Sequence, residues 1–124
     1  MISAELLEYA NNEFERFMVR RYGLDSFKIT IPFDGPTVEG EKVVTTYSLF
    51  GPPKEKTYER IIECPRVDFV YRGKKYAFYV PVPLKVEKSQ TSLGFVGIES
   101  LNQVMDVQET EKEIVRIVED FIEQ

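Results

Sequence analysis

The chain has 124 residues, 43% of them hydrophobic and 30% charged, a size and balance that give one domain with its own apolar core and exclude a disordered chain. With no histidine and one cysteine, Cys64, it lacks the general base of Ser-His-Asp and Cys-His catalysis, the ligands of the common zinc sites and any internal disulfide. No apolar run approaches the roughly 20 residues that span a bilayer, and the opening MISAELLEYANNEF has neither the basic nor the apolar region of a signal peptide, so the cytoplasm is the expected compartment.

The first element is a helix over residues 4–22. Leu6, Leu7, Ala10, Phe14, Phe17 and Met18 recur at helical spacing, Ser3 is placed to cap it, Glu5 and Glu8 suit the positive end of its dipole, and Gly23 suits its C′ position. Residues 26–32 alternate Phe27, Ile29 and Ile31 with polar residues, the pattern of a half-buried strand. A turn-rich stretch, residues 33–42, precedes a second strand, residues 43–50, which Gly51-Pro52-Pro53 is expected to end. Residues 54–64 fit either a short helix or a strand pairing back on 43–50, and the strand is favoured because the loop is short. Residues 66–82 read as a hairpin. Gly73-Lys74 supplies a Gly-X turn, which would set Tyr71 opposite Tyr76, Phe69 opposite Phe78 and Val67 opposite Val80. Polar residues 85–92 suggest a mobile loop, and 93–99 a further strand with Gly94 and Gly97 marking a bulge. Two capping-box patterns follow, Ser100 to Gln103 and Thr110 to Glu113. The second would open a helix with Ile114, Ile117, Val118, Phe121 and Ile122 on its apolar stripe.

Two chemistries are open to such a chain. Carboxylates can hold Mg²⁺ for phosphodiester cleavage without histidine. Pro65-Arg-Val-Asp68 opening a strand and hairpin resembles the PD-(D/E)xK nucleases over about twenty residues. That resemblance would give roles to Glu13 (or Glu15), Asp68, Glu87 and Lys88. The second hairpin strand reads Tyr79-Val80-Pro81-Val82 where Glu-x-Lys belongs, and Glu87 and Lys88, being adjacent, would face opposite sides of a strand. A second possibility is nucleic-acid binding by the hairpin, where Arg66, Arg72, Lys74 and Lys75 interleave with Tyr71, Tyr76 and Tyr79. Residues 54–88 carry nine basic and five acidic residues, against two and eight in 89–124, but the net charge of -5 opposes a polyanion. Gly94-Phe-Val-Gly97 has the spacing of a KH-domain loop but apolar inner residues, and Cys64 has no activating neighbour in sequence.

The sequence therefore predicts a single α+β domain, residues 1–124. It would have an antiparallel sheet of five or six strands, with amphipathic N- and C-terminal helices packed on one face. The expected function is a non-catalytic binding or adaptor domain acting through protein contacts or self-association. It would need no cofactor, no metal and no membrane; nucleic-acid binding and a divergent nuclease are the alternatives.

Overall fold

A computed structural model describes residues 4–124, with side chains from residue 13 onward. Ser3, and the side chains of Glu5, Leu6, Leu7, Glu8 and Ala10, lie outside the described residues. The helix α1 runs Ala4–Tyr22. It ends in a Schellman turn: Gly23 takes φ +63°, and the Leu24 amide donates to the Val19 carbonyl at 3.1 Å.

Seven strands follow, in two antiparallel sheets, where the sequence predicted five or six strands in one. The three-stranded sheet has the order β1 (Ser26–Thr30), β4 (Arg66–Tyr71), β5 (Lys74–Tyr79). Phe27 pairs with Phe69 and Ile29 with Val67, so these four side chains share one face. All four are buried in one cluster with Phe14 and Met18 of α1, and with Ile114 and Val118 of the last helix, α2 (Val107–Ile122). Phe121 closes the other end of this layer, its ring 5.2 Å from Tyr76 and 6.1 Å from Phe69. Tyr22 donates a hydrogen bond to the Glu119 carboxylate, tying the two helices together. Burial, seconded by that carboxylate, pushes the Tyr22 phenol up to about 12.

The hairpin exists, but its register differs from the expected one. Arg72 and Gly73, not Gly73 and Lys74, are the central pair, with φ +50° and +77°, as a type I′ turn requires. Tyr71 therefore pairs with Lys74, Phe69 with Tyr76 and Val67 with Phe78. The Asp25 carboxylate accepts the Gly73 amide at 3.0 Å, an anchor from outside the hairpin. Because side chains alternate with period two, this slip of two in pairing leaves every residue on its expected face.

The second sheet has the order β3 (Gly51–Glu63), β2 (Thr37–Ser48), β7 (Val96–Met105), β6 (Leu84–Leu93). It overturns several local readings. The turn-rich stretch is already strand from Thr37, and Gly51-Pro52-Pro53 opens β3 instead of closing β2. Prolines are tolerated there because β3 is an edge strand. Residues 85–92 are not a loop: polar on both sides, they form a regular ladder from Leu84↔Met105 to Leu93↔Val96. Polarity marked exposure here, not irregularity. Gly94 is no bulge but the first residue of a two-residue turn, with φ +59°. Ser100 to Gln103 is strand, and the cap of α2 is Asp106, whose carboxylate accepts the Glu109 amide at 3.2 Å. Thr110 lies inside the helix, where its buried hydroxyl donates to the Asp106 carbonyl at 2.7 Å.

The two sheets meet at one end only. The chain crosses between them three times, and proline stands at each crossing: Pro32 and Pro36, Pro65, and Pro81 and Pro83. Backbone bonds close this joint: Cys64 to Pro36 at 3.0 Å, Val80 to Pro65 at 2.9 Å and Asp106 to Pro83 at 2.8 Å. A second, smaller cluster of Ile62, Cys64, Val82 and Met105 fills it. Gly35 is held there by space: a Cβ would stand 2.5 Å from the Pro32 ring and 3.2 Å from that of Tyr79. Beyond the joint, the two hairpins β2–β3 and β6–β7 run side by side as a blade about 30 Å long, as ten residues per strand imply.

Candidate interaction surface

The residues that would serve a nuclease are not brought together. Asp68 lies on the outer face of the three-stranded sheet, ion-paired with Arg66 at 3.1 Å. Glu87 and Lys88 are on β6 of the other sheet, facing opposite sides. Glu87 is 3.9 Å from Lys85, and Lys88 3.2 Å from Glu99. Glu13 is exposed on α1, and Glu15 accepts the Ile29 amide at 2.9 Å on the edge strand β1. Among the described residues, no three carboxylate or cysteine side chains form a group that could hold a metal ion.

The basic hairpin is a cluster in space, but its aromatic members face different ways. Tyr76 stacks on Phe69 at 4.8 Å and joins the core layer, and Tyr71 packs against the same cluster. Tyr79 is on the other face, beneath the Arg66 guanidinium at 5.7 Å. Arg72 lies over Tyr71 at 5.0 Å and Lys74 over Tyr76 at 5.2 Å. Lys75 is exposed. Cys64 is buried in the joint, and burial pushes its thiol up, against a smaller opposite pull from a hydrogen bond with the Val82 backbone. Such a thiol stays protonated and unreactive.

The blade is where the surface departs from what a water-soluble sheet needs. Antiparallel sheets ordinarily cover one face. From Glu41 to Glu59 on one hairpin and from Lys85 to Leu101 on the other, no residue is buried. Both turns lie at the far end, since Ser48 pairs with Gly51 and with Val96, and Val96 with Leu93. They present Leu49, Phe50, Leu93 and Phe95, which are 71%, 89%, 67% and 70% exposed. The rings of Phe50 and Phe95 meet edge to face at 6.4 Å. Four large apolar side chains gathered in adjoining turns call for an explanation, whereas scattered ones would not.

The blade's two faces also differ in charge. Directly paired residues share a face, so the register sorts them. One face carries Lys42, Lys54, Lys56, Arg60 and Lys85 against Glu87 alone. Arg60 is held there by the Asn102 side chain and by the Gln103 carbonyl at 3.1 Å. The other face carries Glu39, Glu41, Glu55, Glu59, Glu63 and Glu99 against Lys88 alone. Val44 and Ile98 lie within the basic face; Val43, Leu101 and Ile61 lie within the acidic one. The signal was present in Lys54-Glu-Lys56-Thr-Tyr58-Glu-Arg60, where sign alternates with the strand period. It becomes legible only once the segment is known to be strand.

Comparison with known proteins gave no match to a family model, to a curated protein or to a solved structure. No helix among the described residues is long and apolar enough to cross a membrane.

Proposed function

We propose that the protein is a binding module whose working surface is the projecting blade, and that it acts by contact with other protein, without catalysis. The observation that carries the reading is the apolar tip formed by Leu49, Phe50, Leu93 and Phe95. Exposing these side chains costs solubility and gains nothing for the fold, since none of them touches the main cluster. Aromatic and aliphatic anchors surrounded by polar groups are what protein interfaces use at their centres. The helical half serves as the rigid mount.

The test compares two positions for a photo-crosslinking amino acid, 95 at the blade tip and 74 on the basic hairpin. Covalent protein adducts should form from position 95 and not from 74. They should vanish in Phe50→Ser combined with Leu93→Ser, a variant whose far-UV circular dichroism and melting match the parent. Adducts of nucleic acid from position 74 would overturn the reading in favour of the hairpin.

A further inference from the structure

We infer that the partner covering the blade's faces is a second copy of this chain, its basic face seated on the acidic face of its neighbour. This rests on the proposal that the blade is the contact surface, and adds to it the identity of the occupant. Each face is an uncovered sheet with apolar residues near its centre and charges mainly of one sign around them, five to one on the basic face and six to one on the acidic face, and the other face of the same sheet supplies the opposite sign. Stacked sheets lie about 10 Å apart with their side chains interleaved, close enough for the two sets of charges to meet within a Debye length.

The charge pattern also fixes the mode of contact. A two-fold dimer brings a face against itself, which here sets five cations against five or six carboxylates against six. The favourable pairing is head to tail, Lys54 and Lys56 of one copy against Glu55 and Glu59 of the next. Such an interface leaves one face of each sign free at the ends, so association continues beyond two copies unless it closes in a ring. The apolar tips then line up along one side of the assembly.

The experiment uses the full chain and two charge-reversal variants, Lys54→Glu with Lys56→Glu, and Glu55→Lys with Glu59→Lys. All four positions are exposed on an edge strand, so the fold should survive; circular dichroism checks this. Sedimentation velocity at low salt should show the wild type associating with rising concentration, and dissociating as salt is raised. Each variant alone should lose at least about tenfold in association constant, because the altered face is left near neutral, with three cations against three carboxylates in the first variant and three against four in the second, and no longer complements its neighbour. Mixing the two variants should restore association in equal proportion, because the intact acidic face of one meets the intact basic face of the other. If a reversal variant fails to fold, Lys54→Gln with Lys56→Gln should still weaken association.

A wild type that stays monomeric at low salt overturns the inference, as does a mixture that associates no better than its components. If tip crosslinks persist with a monomeric wild type, the blade remains the contact surface and only the self-partner falls. If those crosslinks vanish as well, both readings fall. A fluorescein-labelled single-stranded oligonucleotide provides the remaining control. Salt-sensitive binding that Lys54→Glu with Lys56→Glu abolishes would reassign the basic face to nucleic acid and overturn the inference.

Discussion

The strand β4 and the strand β3 both alternate with period two, yet one is buried along a face and the other is exposed along nearly all of its length. In Arg66-Val-Asp-Phe69 the alternation is polar with apolar, so one face can be removed from water. Val67 and Phe69 occupy it and are almost fully buried. In Lys54-Glu-Lys-Thr-Tyr-Glu-Arg60 the alternation is largely positive with negative. Neither face can be buried without stripping charges of water, which is costly unless opposite charges meet them. The first pattern closes a domain on itself. The second leaves both faces of a sheet in water, and only a surface carrying the complementary charges could cover them cheaply.

The largest effect that sharpens this contrast is on stability. Phe69→Ala empties the centre of the layer that holds Tyr76, Phe78 and Phe121, and should cost about 3–5 kcal/mol. Phe95→Ala at the blade tip should change stability by less than about 0.5 kcal/mol, as exposed sites do. Urea denaturation of both variants at low concentration reads the difference. An equal loss at Phe95 would mean that the tip is already covered in the free protein, and would break the contrast.

A second effect belongs to the helical half alone. Tyr22 stands between α1 and α2, and its phenol is pushed from 10.0 up to about 12 by burial first and by Glu119 second. The folded state thus holds this proton more tightly than the unfolded chain does. Its contribution is whole below pH 10 and is lost as pH rises from about 10 to about 12, when the unfolded chain releases the proton first. The melting temperature should fall across that window, and Tyr22→Phe should flatten the fall. A variant as pH-sensitive as the parent would place the alkaline weakness elsewhere.

How much of this was legible follows from the kind of signal each segment carries. The helix ending at Gly23, the alternation of Phe27 with Ile29 and the faces of residues 66–82 were readable, because apolar periodicity and turn chemistry point the same way there. The α+β class followed from them. The blade was largely missed. Residues 85–92 have no apolar face, so the usual strand signal is absent, and only pairing with β7 makes them strand. Ser100 to Gln103 matches a capping box, yet its ladder bonds to β2 and β6 outweigh the local motif. The number of sheets was hidden for a similar reason. The prolines between strands read as strand ends, and nothing local says that the chain changes sheets at each of them. Among the candidate residues, Asp68 and Glu87 fall in different sheets, a separation that spacing along the chain cannot reveal.

The smallest effect concerns two turns that use positive φ, one in each half. The β6–β7 turn of the blade has glycine where φ is +59°, so its backbone is relaxed. The turn of the basic hairpin puts Arg72 at φ +50°, a conformation that costs a side-chain-bearing residue about 1–2 kcal/mol. Part of this is recovered, because the guanidinium lies over Tyr71 at 5.0 Å, a contact worth about 0.5–1 kcal/mol at an exposed site. Asparagine tolerates the left-handed region better and is a preferred partner of glycine in type I′ turns. Arg72→Asn should therefore raise stability by a few tenths of a kcal/mol up to about 1. Guanidinium denaturation with an unchanged slope would show it. A loss instead would mean that the stacking of Arg72 on Tyr71 outweighs the backbone strain. The same variant bears on function: with one cation gone from the hairpin, blade-mediated association should be unaltered. Weakened association would draw the hairpin into the contact surface and erase the division of labour between the two halves.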